Sequence, residues 1–212
     1  MQRPHFVSRI TNFLTVWVLL ASPVVATNAN EILKQAPSGS YAVDLSHASV
    51  VFKVSHLGFS TYVGRFNDFS ADLNLDTEDF TKSSVSAAIK VDSIDTAYPF
   101  PEKEDFDAKI AGEWLLSKEN PLMTFTSTEV GPLLDGKSDV TGDLSMAGQT
   151  HPVVLKVTLN NATDSHPINK VAVVGFSATT ELDRSVWGVD NSVPFVASDV
   201  RIELEGEFLI VE

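Results

Sequence analysis

The chain has 212 residues, with 15 basic and 28 acidic side chains, a formal net charge of −13 and no cysteine. So acidic a surface repels phosphate backbones and anionic headgroups, which argues against nucleic-acid binding and polybasic membrane association. The lack of cysteine excludes disulfides, thiol catalysis, thiolate metal sites and a lipid-modified N-terminal cysteine.

The first nine residues, MQRPHFVSR, carry Arg3 and Arg9 and no acid. An apolar run from Phe13 to Ala21 follows, then Pro23, then Val24-Val25-Ala26. A basic start, a short greasy stretch and a small residue at its end predict a secretory signal peptide over residues 1–26, cleaved after Ala26, with Ala29 as the second choice. The run is shorter than the roughly 20 residues that span a bilayer. Cleavage leaves 186 residues with a net charge of −15, enough for one domain with its own core. The expected home is the bacterial periplasm, with the mature protein soluble. Residues 27–40 are polar and end in Pro37-Ser38-Gly39-Ser40; they read as a flexible tail ahead of a single domain over residues 41–212.

From Tyr41 the hydrophobic period is two. Tyr41, Val43 and Leu45 alternate, then Val50, Phe52 and Val54; Phe69 to Leu75 and Val85 to Val91 follow. Met123 to Ser127, Val140 to Met146, Val153 to Leu159, Ala172 to Thr180 and Val200 to Phe208 repeat the pattern. Strict alternation predicts antiparallel strands with one dry face and one wet face. Leu57-Gly58, Asp135-Gly136-Lys137, Ala147-Gly148-Gln149 and the stretch from Asn160 to Lys170 supply turns. One segment breaks the period: Phe106, Ile110, Trp114 and Leu115 stand at helical spacing, with acids at the start, Lys118 at the end and Pro121 as a stop. This predicts one main helix near residues 103–116. An all-β fold of about eight strands and one helix fits either a closed barrel or a sandwich. The barrel is preferred, because closure removes the exposed edges that so many strands would otherwise leave.

Six short motifs then occur in order. Tyr41-x-x-Asp44-x-x-His47 leads into Val50-x-Phe52-x-Val54-x-His56 and Gly64-x-Phe66-x-x-Phe69. Ser93-Ile94-Asp95-Thr96, Pro121-x-x-Thr124-Phe125, Val140-Thr141-Gly142-Asp143-Leu144, Gly148-x-Thr150-His151-Pro152-Val153 and Arg184-Ser185-x-Trp187-Gly188 complete the set. Together they resemble the YceI-like family from about Tyr41 to Ile210. Lys109 stands where that family commonly has a histidine, and no role is carried over to it. The resemblance implies a lipocalin-like closed antiparallel barrel, secreted or periplasmic, that holds a polyisoprenoid or similar amphiphilic lipid. Homodimers and a transient inner-membrane partner are further expectations of this kind.

The inward side chains read as core if the barrel is packed and as a lipid tunnel if it is open. With the resemblance, the expected lining is Val50, Phe52, Val54, His56, Phe66, Phe69, Ile89, Phe125, Leu144, Leu155, Phe176 and Ile202. His56, at the end of its strand, could meet a headgroup or make a structural hydrogen bond. Arg184 could hold a turn through carbonyls or an acid such as Asp44, or it could contact a ligand's polar end. Trp187 reads as packing and Trp114 as a plug at the barrel end. His47 reads as a turn hydrogen-bonder; neither HxH nor HExxH occurs, no carboxylate cluster is recognisable beside His47 or His56, and no metal site or cofactor is expected beyond the isoprenoid or fatty-acyl ligand itself. Sequence signatures of hydrolases and nucleotide-binding enzymes are absent, so the chain reads as a binding protein and not an enzyme. The rivals are an enzyme acting on a lipidic molecule through His56 and a nearby acid, and a ligandless interaction module docking through its acidic face.

Overall fold

The computed structural model describes residues 29–211; the expected signal peptide and its cleavage site after Ala26 lie outside them. Ten strands alternate as the hydrophobic period requires: β1 Gly39–His56, β2 Ser60–Phe66, β3 Phe69–Leu75, β4 Ser84–Lys90, β5 Ile94–Asp95, β6 Leu122–Val130, β7 Lys137–Met146, β8 Gln149–Thr163, β9 Val173–Asp183 and β10 Val196–Ile210. The sheet order is β10-β9-β8-β7-β6-β4-β3-β1-β2-β5, and β10 pairs back onto β1. All pairings are antiparallel, and the pairing of β10 with β1 closes the sheet.

Ten segments make eight staves. The first part of β1 pairs with β3 (Tyr41 opposite Leu73) and the last part with β2 (Phe52 opposite Gly64), so β2 and β3 lie end to end beside one long strand. In the same way β4 pairs with β3 and β5 with β2, with a 3₁₀ turn at Val91–Ser93 between them. The barrel is therefore the eight-stranded closed form, and the sandwich is not observed. Three turns bring consecutive residues into the left-handed region, at Leu57-Gly58, Asp135-Gly136 and Ala147-Gly148. That geometry matches the twist of a tight hairpin.

Two expectations need correction. Residues 29–40 do not form a free tail. α1 (Ala29–Leu33) packs Leu33, 2 % exposed, with Ala36 against Leu133 and Leu159, and β1 already starts at Gly39. The fully buried Tyr41 fixes the junction by donating to the Pro37 carbonyl at 2.6 Å. Polarity misled here because the apolar contacts rest on Ile32, Leu33 and Ala36, too few to make a pattern.

The helix predicted over 103–116 is shorter and of two kinds. α2 covers Phe106–Lys109 and continues as a π-helical turn over Ile110–Trp114. Asp105 caps it, its carboxylate accepting from the Ala108 amide at 3.0 Å, so the acids before it stand outside the helix. Lys109 pairs with Glu104 at 2.6 Å. The wider π turn, marked by the Leu115 amide bonding to the Ile110 carbonyl at 3.0 Å, brings Ile110, Trp114 and Leu115 onto one side, facing the lumen.

Hydrophobic packing falls into two clusters along the barrel. One, around Leu33, Tyr41, Leu159 and Val174, seals the end covered by α1. The other, around Val91, Ala111, Leu115, Met123 and Trp187, ties the α2 segment to the strands.

Candidate functional site

Between the two clusters lies a cavity of about 740 Å³, within the ~300–1,000 Å³ usual for small-molecule sites. Its wall is the inward face of every stave. All twelve predicted lining residues, Val50, Phe52, Val54, His56, Phe66, Phe69, Ile89, Phe125, Leu144, Leu155, Phe176 and Ile202, stand along it, and so does Arg184. Many of these inward side chains are only half-buried: Phe52, Phe69, Ile89, Phe125, Leu144, Leu155 and Ile202 keep accessible surface although they point to the barrel axis. An apolar side chain that faces inward yet is not covered faces a void. The inward face is thus a wall more than a packed core, and it can hold an apolar molecule.

Glycines shape two parts of this wall. The Phe52 ring lies across Gly64, directly opposite it, where a Cβ would come within 2.3 Å of the ring; the Phe125 ring reaches diagonally across the ladder to lie over Gly142 at the same distance. Each ring fills the space of an absent side chain and stays out of the lumen.

Sequence reading missed the aromatic group that fills the gap beside β5, where β6 has not yet begun. Phe106 meets Tyr98 at a tilt of 45° (centroids 5.3 Å apart) and Tyr62 (6.3 Å) and Trp114 (6.1 Å) edge-on. Asp107 holds the segment to β5 by accepting from the Thr96 amide at 3.0 Å and from its hydroxyl. Trp114 lines the cavity, so it is part of the wall and not a plug on the barrel end. Its helical spacing with Phe106 was the available signal. Tyr62 had none, because Gly64 interrupts the alternation of β2.

Arg184 opens a 3₁₀ turn over Arg184–Trp187, capped by the Asp183 carboxylate on the Ser185 amide and ended by Gly188 in the left-handed region. It is 7 % exposed. Nε donates to the Ala197 carbonyl at 3.1 Å, Nη1 to Val189 at 2.6 Å, and Nη2 to Asn191 at 2.8 Å and Val196 at 3.2 Å. Four of the five N–H groups of the guanidinium are thus held by carbonyls of the 189–197 connector, and the acid partner considered, Asp44, is not among them. Burial pushes its pKa down from the ordinary arginine value. Trp187, 3 % exposed, donates to the Leu144 carbonyl at 3.0 Å and packs edge-on to His151; it is packing, as expected.

His56 is exposed where the cavity wall meets solvent, paired with Ser60 on one side and Val196 on the other. No hydrogen bond or ion pair joins its side chain to an acid among the described residues. His47 is different. A bulge in β1 against β10, in which the four residues between Val43 and Ala48 stand against Glu207 alone, carries Asp44, Ser46 and His47. His47 Nδ1 lies 2.9 Å from Asp44 Oδ2 and 3.9 Å from Glu207 Oε2. The chain therefore does gather two carboxylates around His47, with ligand-type atoms within 4.8 Å of one another. This corrects the expectation of none, which failed because Glu207 comes from the far end of the sequence.

Hydrogen bonds from the Ser46 hydroxyl, His47 and the Ser46 amide hold Asp44 down at about 2. The bond to Asp44, then the charge of Glu207, raises His47 above its ordinary value. The signs set a window. The raised His47 adds stability that is complete below its unfolded value of about 6.5 and lost as pH rises through the folded one. The depressed Asp44 adds stability present above about 3.9 and lost as pH falls towards the folded value. The pair thus contributes most between these limits. Expected by NMR titration is a His47 imidazole that titrates above the ordinary range, and that returns towards it in Asp44→Asn; equal midpoints in the two proteins would show that the bond does not persist in solution.

The YceI-like domain family matches residues 41–208. A UPF0312 protein of Pseudomonas aeruginosa is 35 % identical over 175 residues, covering 82 % of this chain and 88 % of its own. One of Vibrio parahaemolyticus is 32 % identical over 172 residues, covering 80 % and 86 %. Among solved structures, Burkholderia cenocepacia BcnA superposes with a TM-score of 0.66 at 25 % identity, over 78 % of this chain and 98 % of that one. A polyisoprenoid-binding domain from Saccharophagus degradans superposes with a TM-score of 0.59 at 10 % identity, over 82 % and 100 %, which is a likeness of fold. With the family model matched over nearly the whole domain and relatives 32–35 % identical across most of both chains, the chain belongs to the YceI-like family.

Proposed function

We propose that this protein is a secreted, periplasmic carrier that shields the tail of a long amphiphile, a polyisoprenoid, an isoprenoid quinone or a fatty-acyl lipid, inside the barrel. The observation that carries this reading is the ring of inward apolar side chains left half-buried around the cavity. The basic and apolar N-terminal stretch supports export, and the polyisoprenoid-binding neighbour of the same fold supports the ligand class.

Magnitudes fit. At the ~30 Å³ that a water-sized group occupies in a liquid, the cavity takes on the order of 25 methylene-sized groups. At about 0.8 kcal/mol each, these give roughly 20 kcal/mol gross. Ordering a flexible chain and losing its free motion oppose much of this, leaving ample affinity for a carrier. Recognition is then by length and apolarity, with the polar end at His56, Tyr62 and Tyr98 on the open rim.

The test is native mass spectrometry of protein purified from its native periplasm, followed by solvent extraction. The expected result is a bound lipid in that mass range, or uptake of prenyl alcohols and quinones by stripped protein. Protein that emerges empty and refuses both overturns the reading.

A further inference from the structure

The open rim carries a second feature. Three charge-free runs of loop and adjoining strand meet there in a chain rich in acids: residues 57–64, 97–101 and 191–198 contain no Asp, Glu, Lys or Arg, although the same connections go on to Glu102, Asp190 and Lys103, whose ammonium lies 4.1 Å over the Phe100 ring. They are also where large apolar side chains stand in solvent. Phe59 is 89 % exposed, Phe195 61 %, and Leu57 and Phe100 about half. The first and third loops are joined, since the Leu57 amide donates to the Phe195 carbonyl at 2.8 Å. The second is tied on by Tyr62, whose hydroxyl donates to the Thr96 carbonyl at 3.4 Å, and by Phe106, whose ring meets both Tyr62 at 6.3 Å and Tyr98 at 5.3 Å. The same runs supply Ser60, Tyr62, Tyr98, Ser192 and Val196 to the cavity wall.

We infer that this rim is a membrane-docking surface, which seats the cavity mouth against the interfacial region of an electrically neutral bilayer so that a lipid tail passes between bilayer and lumen without crossing water. The inference deepens the carrier reading and rests on it. Three arguments select the occupant. The apolar tips are continuous with the cavity wall, so the docked surface is the one the ligand must cross. The apolar tips themselves carry no charge, and the groups adjoining them, Glu102 and Asp190 with the single Lys103, are net acidic like the chain as a whole, which suits uncharged or zwitterionic headgroups and disfavours anionic ones. The exposed apolar side chains are few and sit on loop tips, whereas a stable interface with a second copy draws on roughly 20–30 residues a side; a few aromatic tips suffice to seat a protein in the interfacial layer.

The experiment is flotation of the full mature chain with vesicles of pure phosphatidylcholine, and with the same vesicles containing phosphatidylglycerol. The wild type is expected to float with the first, to do so equally at low and high salt, and to float less with the second. Phe59→Asp combined with Phe195→Asp is expected to cut partitioning by about 100-fold, while still taking up a prenyl alcohol delivered from ethanol. Ile168→Asp, at a 79 % exposed position in the β8–β9 connection, is the control and should float as the wild type does. Wild type that never floats, a double variant that floats unchanged, a control that fails equally, or a wild type that instead sediments as a dimer through this rim overturns the docking surface. Flotation without any lipid uptake leaves docking standing and overturns the carrier reading alone.

Discussion

Replacing Gly64 with alanine is expected to cost about three orders of magnitude in affinity for long apolar ligands while leaving the barrel folded. The three atoms nearest an added Cβ are Phe52 Cζ at 2.3 Å, Cε1 at 2.7 Å and Cε2 at 3.0 Å. All belong to one ring, which can turn about its own side-chain bonds. Turning has one direction open: away from β2 and into the lumen, since neighbouring strands occupy the sheet plane. A ring moved there takes the place of about five methylene groups of ligand, which at 0.8 kcal/mol each is roughly 4 kcal/mol of lost binding. The fold loses about 1–3 kcal/mol to the displaced ring and recovers part of it, because alanine is easier to order in a strand than glycine.

Gly142 gives the opposite result. There the added Cβ meets Phe125 Cζ at 2.3 Å but also the Thr126 carbonyl oxygen at 2.6 Å. A backbone carbonyl in the β6–β7 ladder cannot swing aside, so Gly142→Ala should lower Tm before any binding effect is read. Thermal unfolding and titration with a fluorescent fatty acid separate the two cases. Adding Phe52→Ala to Gly64→Ala should restore uptake. Should Gly64→Ala bind with unchanged affinity at an unchanged Tm, the Phe52 ring does not border the space that the ligand uses.

Period-two alternation carried most of the fold, because eight staves with one wet face each leave that signature in any window. Closure was not visible in it. The pairing of Tyr41 with Ile210 joins the two ends of the domain, and no local pattern reports so distant a contact. β2 escaped notice because Gly64 stands where an inward apolar side chain would mark the strand, and the reason, a ring lent from β1, lies across the ladder. The wall was legible residue by residue, yet core and tunnel share one pattern; only the uncovered surface of Phe52, Phe69 and Leu144 separates them. The docking loops looked like ordinary turns in the sequence. Their meaning comes from meeting at one rim, through contacts such as Leu57 with Phe195, and in part from Leu57 itself, an exposed leucine held at φ 52° where side chains are uncommon.

Arg184→Met is expected to destabilise the protein by about 3–5 kcal/mol, because it leaves several carbonyls without donors at a mostly buried position. For a domain of this size that is on the order of 10 °C in Tm. Methionine keeps the aliphatic stem but lacks the three outermost heavy atoms of the guanidinium, so the loss combines the hydrogen bonds with the small space those atoms vacate. Arg184→Lys should recover less than half. An ammonium is a point donor and cannot serve Val189 on one side and Ala197 on the other as the planar fork does. The connector so held carries Ser192 and Val196 to the cavity wall and Phe195 to the rim, so loosening it reaches the mouth as well as the fold. Two roles for the guanidinium can then be told apart by ligand charge. If it holds only carbonyls, Arg184→Lys weakens a neutral prenyl alcohol and an anionic fatty acid by the same factor. If its remaining N–H also meets a ligand's polar end, the anionic ligand loses more than the neutral one, and the excess shrinks as salt is added.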